Sequence, residues 1–204
     1  KVDINAADAN SLRLLMQALG IESVKADALV DAILDWRDPD DLKMPNGAED
    51  KDYQAAGYPY GAADAPFGMV EELQQVMGMD YELYSKLEPH ITVYTRAPTV
   101  NAAFADEIEL MTIPGMTPEL AAQIVAQRRA FNLASANTPG AGTIPLPNGS
   151  SLSLQGGGVT YTVRSTARLP NGVQNPLIAT VRLGGLAGQR AYTILRWRYG
   201  SSES

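Results

Sequence analysis

The sequence predicts an α+β protein in which an acidic helical-hairpin domain precedes a basic antiparallel sheet. Residues 1–119 carry 22 of the 23 acidic side chains, whereas residues 120–204 carry 8 of the 16 basic side chains and only one acid, Glu203. Apolar residues recur at helical spacing up to about residue 130, and alternate with polar residues after residue 158. A chain of 204 residues can bury one large core or two small ones.

The first 37 residues have the pattern of two short helices. In residues 11–19 the apolar side chains fall on one helical face, and Gly20 follows where a helix-ending glycine is expected. Ser23 is the expected N-cap of a second amphipathic helix, which runs into Asp35-Trp36.

A long loop without regular structure is predicted at residues 39–66, because proline, glycine and asparagine interrupt the segment repeatedly. A loop of this length inside a compact domain needs something that orders it. Two candidates are a bound ion and the packing of Tyr53, Tyr58 and Tyr60. The sequence alone leaves both open.

Helical patterns resume at residues 69–77, at 80–87 with Asp80 as the N-cap, and at 106–111 and 118–129. A short β-branched stretch at 90–94 indicates a strand. The segment Asp3-Ile4-Asn5-Ala6-Ala7 resembles Thr99-Val100-Asn101-Ala102-Ala103, and residues 71–87 have a similar rhythm. Three helical hairpins would then form an α-domain of about residues 8–130.

The last part of the chain predicts a three-stranded antiparallel meander. Its strands are expected at 159–168, 177–183 and 190–198, with turns at Asn171-Gly172 and Gly184-Gly185. Residues 131–158 indicate a flexible connection, and residues 1–7 are assigned with 159–199 to the β part. A meander of three strands needs a covering element, so Tyr192 and Trp197 are expected in the core and a preceding segment is expected to cover the sheet.

The most informative feature is an acidic segment, residues 35–52. It holds seven carboxylates in eighteen residues, which repel one another unless they are solvated or share a cation. Oxygen ligands on an irregular loop suit calcium, so one or two Ca²⁺ ions are expected here; a solvated loop without an ion is the alternative. The candidate ligands are Asp35, Asp38, Asp40, Glu49, Asp50 and Asp52. The spacing is not that of an EF-hand, because Lys43 stands where glycine is required.

Other functional classes find little support. The chain has no cysteine and one histidine, His90, which disfavours thiolate metal sites, transition metals and nucleophilic catalysis. The hairpins resemble helix-hairpin-helix DNA-binding units, but Pro114-Gly115-Met116-Thr117 places threonine at the second glycine position. The net charge of −7 also disfavours a nucleic-acid partner. We therefore expect a protein that is not an enzyme and does not bind nucleic acid.

Several motifs together resemble the minor pseudopilin K family of bacterial type II secretion systems. They are Asp35-Trp36-Arg37-Asp38-Pro39-Asp40, Gly47-Ala48-Glu49-Asp50, Tyr53, Pro59-Tyr60, Glu71-Glu72-Leu73, the unit at Asn101 and the final strand, residues 191–198. The resemblance covers nearly the whole chain. It implies a helical-hairpin domain of SAM or helix-hairpin-helix type inserted in a pilin-type antiparallel sheet, with the N-terminal pilin helix absent from this chain.

The resemblance also implies a function. Members of the family cap the tip of a periplasmic pseudopilus in complex with the minor pseudopilins I and J, are anchored in the inner membrane by their pilin helix, and bind calcium in the helical domain. We accordingly expect a non-catalytic structural subunit that supports protein export. The alternative from another class is a calcium-dependent periplasmic hydrolase or substrate-binding module.

Overall fold

The computed structural model describes residues 1–134, 143–145, 149, 151–153, 160–184 and 191–199. The chain forms two compact units, which we call the helical unit, residues 1–156, and the sheet unit, residues 157–204. The mixture of helices with an antiparallel sheet confirms the predicted α+β class. Among the described residues, no helix has the length and apolarity needed to span a membrane.

The helices of the helical unit follow the predicted pattern closely. They are α1 Ala9–Ala18, α2 Ser23–Arg37, α3 Asp50–Ala55, α4 Tyr81–Leu87, α5 Glu107–Leu110 and α6 Pro118–Ala134, with 3₁₀ helices at Val70–Gln75 and Glu88–His90. Asp80 caps α4 as predicted, by accepting a hydrogen bond from the N–H of Leu83. Two predictions were wrong: Glu22, not Ser23, is the N-cap residue of α2, and α3 lies inside the segment that was expected to lack regular structure.

The start of the chain belongs to the helical unit. Strand β1, Val2–Asp3, pairs in parallel with β2, Ile91–Thr92. The carboxylate of Asp3 then accepts hydrogen bonds from the N–H groups of Thr95 and Arg96. Residues 1–7, which the sequence analysis assigned to the β part after residue 158, thus pair with the chain around residue 92, and Asn5 bonds with the backbone of Phe67.

A repeated turn precedes α1 and α5. The carbonyl of Asp3 accepts hydrogen bonds from the N–H groups three and four residues later, and the carbonyl of Asn101 does the same. Asp8 and Asp106, each five residues further on, cap the next helix through its third N–H group. The structure thus pairs Asp3 with Asn101, whereas the sequence comparison had paired Asn5 with Asn101, two residues out of register.

An arginine closes each repeated turn. Arg37, the last residue of α2, donates hydrogen bonds to the carbonyls of Ile4 and Ala7. Arg128 of α6 donates to the carbonyls of Ala102 and Ala105, at 3.0 and 2.8 Å. Each guanidinium therefore binds the first and fourth carbonyls after the residue that starts the turn. This ties the second helix of each hairpin to the entry of the first.

Two hydrophobic clusters fill the helical unit. The first packs α1 and α2 against β1, β2, α4 and the 3₁₀ helix at Val70–Gln75, with Leu15, Leu29 and Ile33 almost fully buried. The second packs α5 against the first half of α6. Val100 contacts both clusters and joins them.

Part of the predicted connection at 131–158 has regular structure. Helix α6 continues to Ala134, and β3 Thr143–Pro145 pairs antiparallel with β4 Ser151–Ser153. The rest of the predicted connection lies outside the described residues.

The sheet unit is the predicted meander. Its strands are β5 Thr160–Arg168, β6 Gln174–Leu183 and β7 Tyr192–Tyr199, antiparallel in the order β5-β6-β7. Gly172 turns β5 into β6 with φ of 86°, a conformation that favours glycine. Val159, Gly185 and Arg190, which were included in the predicted strands and turns, lie outside the described residues.

The register separates an apolar face of this sheet from a basic one. Val163, Ala179 and Trp197 are paired across the three strands, and the next row on the opposite face pairs Arg164, Ile178 and Arg198. The apolar face carries Tyr161, Val163, Leu177, Ala179, Val181, Leu183, Tyr192, Ile194, Trp197 and Tyr199. The expectation that Tyr192 and Trp197 are buried was wrong: they are 57% and 52% exposed.

Candidate metal site in the acidic segment

An aromatic cluster orders the loop that carries the acidic side chains. Trp36 at the end of α2 packs on Tyr53 of α3 and stacks on Phe67, with ring centroids 5.7 and 6.2 Å apart. Tyr58 and Tyr60 pack on Tyr53 at 5.7 and 5.9 Å. Aromatic packing, one of the two alternatives left open by the sequence, is therefore present and brings residues 56–66 back over α2 and α3.

Two buried carboxylates of α2 bind the loop through hydrogen bonds. Asp35 is fully buried and accepts the N–H of Met44 at 3.0 Å, and Asp31, one helical turn earlier, accepts both the backbone and the side-chain N–H of Asn46. Burial raises the pKa of Asp35, against the hydrogen bond from Met44. These two residues position the loop that leads to Glu49.

Two glycines permit the close approach of carboxylates to the backbone. A Cβ atom on Gly47 would lie 1.9 Å from Oδ2 of Asp35, and one on Gly61 would lie 1.8 Å from Oδ1 of Asp50. Any larger residue at either position must displace the carboxylate. The glycines are thus part of what assembles the site.

Three carboxylates converge at the centre of this region. One oxygen each from Asp41, Glu49 and Asp64 lie within 4.8 Å of one another. Both side-chain oxygens of Glu49 are buried and have no hydrogen-bond partner among the described residues. Asp64 adopts the left-handed backbone conformation, with φ of 49°, which is uncommon for a residue other than glycine. We call these three residues the carboxylate cluster.

The electrostatics of the carboxylate cluster favour a cation. Burial, together with the negative charges of Asp35, Asp38, Asp64 and Asp41, raises the pKa of Glu49 to about 7. Burial and neighbouring carboxylates also raise the pKa values of Asp38 and Asp64. Each anion here destabilises the others, and a bound cation would remove that repulsion.

Calcium fits this donor set. Two oxygens bound to one Ca²⁺ ion lie at most about 5 Å apart, twice the usual Ca–O distance. The separations in the carboxylate cluster satisfy that limit. All three donors are hard oxygens, and Asp41 and Asp64 are exposed, so that water could complete the coordination.

The motifs that surround this cluster match one family. The family model described as "Type II secretion system (T2SS), protein K" matches residues 2–96, which include every residue of the site. Curated relatives with that name match at 31–35% identity. Over residues 2–96 the chain is therefore similar to the type II secretion system protein K family.

The relatives include the protein K of Pectobacterium carotovorum subsp. carotovorum, which is 32% identical over 62% of this chain and 40% of its own length. The protein K of Klebsiella pneumoniae is 34% identical over 55% of this chain and 31% of its own length. The chain thus spans well under half the length of these protein K relatives.

A solved structure shares the fold. A chain in the crystal structure of the GspK-GspI-GspJ complex from enterotoxigenic Escherichia coli superposes with a TM-score of 0.64, covering 98% of this chain and 76% of that one at 19% identity. At this identity the likeness establishes the fold alone and leaves the ligands and partners of this chain to the proposals below.

The six predicted ligands occupy different positions. Glu49 is in the carboxylate cluster, and Asp38 lies close enough to raise its pKa. Asp35 binds Met44 and Asp40 accepts the N–H of Leu42. The carboxylate of Asp50 closely approaches the backbone of Gly61. Asp52 differs most: it pairs with Lys43 at 2.6 Å and accepts the N–H of Glu49, and both contacts lower its pKa.

The prediction omitted two members of the carboxylate cluster. Asp41 stands within the acidic run, next to Asp40, and its neighbours gave a sufficient signal. Asp64 lies twelve residues beyond the last acid of the segment, among small apolar residues. Asp64 comes near Glu49 only because the chain folds back over the aromatic cluster, and the sequence pattern does not predict that fold.

Proposed function

We propose that this protein is part of a minor pseudopilin K, a non-catalytic structural subunit that caps the pseudopilus of a type II secretion system together with the minor pseudopilins I and J. The observation that carries this proposal is the likeness of fold, over 98% of the chain, to a chain in a complex that contains GspK, GspI and GspJ. The match of the protein K family model to residues 2–96 supports it.

The apolar face of the sheet unit supports a pilin-type assembly. Its central row, Val163, Ala179 and Trp197, is hydrophobic on all three strands, while the opposite face is rich in arginine. An apolar face of this kind requires a covering element. In this proposal a pilin helix that precedes the helical unit in the longer protein covers the face and anchors the protein in the inner membrane, with both units in the periplasm.

The position of the helical unit within the chain supports its role as the cap. In this proposal the helical domain is an insertion in the pilin-type sheet, and its bulk prevents a further subunit from adding to the tip.

The acidic side chains of the site all come from the chain between residues 31 and 64. A hydrolytic site would require carboxylates that face each other across a cleft, so this arrangement favours the structural role.

We propose in addition that the carboxylate cluster binds Ca²⁺, with Asp41, Glu49 and Asp64 as ligands and Asp38 beside them. The observation that supports this is that both buried oxygens of Glu49 lack a hydrogen-bond partner in the part of the chain that the structure describes. The bound ion would neutralise the mutual repulsion of these carboxylates and fix the loop on α2 and α3. Identical melting temperatures in excess calcium and in excess chelator would contradict the proposal.

The capping role is tested with the full-length protein in a secreting strain. A variant that lacks residues 8–130 but keeps the rest of the chain should still associate with pseudopilins I and J, and should give longer pseudopili and reduced secretion. The wild-type protein expressed at the same level is the control. If the variant restores both normal pseudopilus length and secretion, the helical unit is not the cap.

A further inference from the structure

The structure brings the single histidine of the chain onto the second repeated turn. His90 ends the 3₁₀ helix before β2, and its Nδ1 lies 3.1 Å from Oδ2 of Asp106 and 4.0 Å from Oε1 of Glu109. The three donor atoms lie within 4.8 Å of one another. Nδ1 is buried, and among the described residues it has no partner with the geometry of a hydrogen bond.

We propose that His90, Asp106 and Glu109 form a second metal site, selective for a transition-metal ion of the Zn²⁺ type and independent of the proposed calcium site. Imidazole nitrogen suits zinc, whereas calcium takes oxygen ligands. Histidine nitrogen and Asp or Glu oxygen are both zinc ligands, and in a site with three protein ligands a water molecule completes the tetrahedron.

The geometry fits such an ion after a small adjustment. Donors bound to one zinc ion at about 2.0–2.2 Å lie roughly 3.4 Å apart, and the observed distances from Nδ1 fall on either side of that value. The side chain of Asp106 is 52% exposed, which gives water access to the fourth position, while its Oδ1 caps α5 and its Oδ2 faces His90. The other carboxylate oxygen of Glu109 accepts the N–H of Asp106 at 3.1 Å, which fixes its side chain.

The first repeated turn shows that the helix cap does not require this cluster. Asp8 caps α1 as Asp106 caps α5, but Ser11 stands where Glu109 stands in the second turn. Capping is therefore complete without the glutamate and without a histidine. In the second turn Glu109 adds to the cap, because its Oε2 accepts the N–H of Asp106 at 3.1 Å, while its Oε1 faces Nδ1 of His90. A metal ion bound between this oxygen, Asp106 and His90 would tie β2 in the first hydrophobic cluster to α5 in the second.

Equilibrium dialysis of the 204-residue chain against Zn²⁺, in excess Ca²⁺ to fill the carboxylate cluster, tests the proposal. The wild-type chain should bind one equivalent of zinc. His90→Gln and Asp106→Asn should each lose it; asparagine is as good an N-cap as aspartate, so the second variant keeps the start of α5. Asp8→Asn, the equivalent change in the first turn, should keep the zinc, as should Glu49→Gln.

Cobalt provides the spectroscopic check. Co²⁺ bound to the wild-type chain should show the visible absorption of a tetrahedral site, and His90→Gln should abolish it while far-UV circular dichroism remains unchanged. The proposal is overturned if the wild-type chain binds no zinc, or if both variants bind it as the wild type does. Loss of calcium binding in Glu49→Gln with retained zinc would separate the two sites.

Discussion

The two repeated turns of the helical unit share a backbone and differ in their chemistry. In both, an arginine from the second helix binds the first and fourth carbonyls after the starting residue, and an aspartate caps the next helix. The first turn leads, through α2, into the acidic segment. The second carries His90, Asp106 and Glu109.

This difference shows which parts of the motif are constrained. The arginine and the cap satisfy backbone groups that would otherwise be buried without partners, so both copies need them. The side chains around this frame are free to vary, because the backbone hydrogen bonds do not depend on them. Of the proposed zinc ligands, Asp106 is the cap itself, whereas Glu109 replaces Ser11 of the first turn and is one of the variable positions. The carboxylate cluster lies beyond α2, outside the repeated turns.

The largest effect is expected from removing the arginines. Arg37→Ala leaves the carbonyls of Ile4 and Ala7 without their donor and removes the positive charge that faces Asp3, Asp8 and Asp38. Hydrogen bonds from a charged group contribute roughly 1.5–3 kcal/mol each, so we expect a loss of about 4 kcal/mol in the free energy of unfolding. Urea denaturation in calcium measures it.

Arg128→Ala should be the milder change of the two. It leaves two carbonyls without a donor but disturbs no acidic segment, so we expect a loss of about 2–3 kcal/mol. Arg13→Ala, which breaks an ion pair in which both side chains are more than a third exposed, is the control and should cost less than about 1 kcal/mol. Equal and small losses at Arg37 and Arg128 would show that the arginines do not close the turns.

The second prediction concerns the acidic segment, which follows the first repeated turn but not the second. Because the pKa of Glu49 is raised from 4.5 to about 7, the folded state holds its proton more tightly than the unfolded state does. The metal-free protein should therefore lose stability as the pH rises from about 4.5 to 7, by roughly 3 kcal/mol from this residue. Denaturation in chelator at several pH values measures the loss.

Glu49→Gln distinguishes the destabilising effect of this buried charge from its proposed role in binding calcium. Without metal at pH 8 the variant should be more stable than the wild type, because the buried charge is gone, and added calcium should stabilise only the wild type. Asp52→Asn is the contrast: its pKa is lowered by Lys43 and the N–H of Glu49, so the variant should be slightly less stable and should keep the response to calcium. Loss of that response in Asp52→Asn would restore Asp52 as a ligand.

Local signals in the sequence were enough for the helices, the strands and one member of the carboxylate cluster. Asp80 before an amphipathic segment predicted the cap of α4, and the alternation around Val163 predicted a strand with two unlike faces. Glu49 was found because it belongs to a dense run of acids. In each case the residues that decide the outcome are neighbours in the chain.

What the sequence could not supply depends on contacts between distant residues. The partner of β1 lies about 90 residues away, and Asp64 reaches Glu49 only because the aromatic cluster folds the loop back. A transition-metal site was disfavoured because His90 lies far from the acidic segment in the sequence, yet Asp106 and Glu109 lie beside it in the fold. Spacing along the chain does not predict such distances.

The smallest expected effect comes from filling the space beneath the acidic segment. A methyl group on Gly47 would meet the buried Asp35 carboxylate at 1.9 Å, so Gly47→Ala should displace that side chain, cost about 1–3 kcal/mol and weaken calcium binding. At Gly68 the nearest atom would be 3.6 Å away, on the side chain of Glu72, so Gly68→Ala should change stability by less than about 0.5 kcal/mol. Calorimetric titration with calcium and thermal denaturation compare the two variants. Among the residues whose contacts the structure describes, the second repeated turn has no carboxylate packed on a glycine. If Gly47→Ala and Gly68→Ala lose the same stability and calcium affinity, the close approach to Asp35 does not distinguish the first turn from the second.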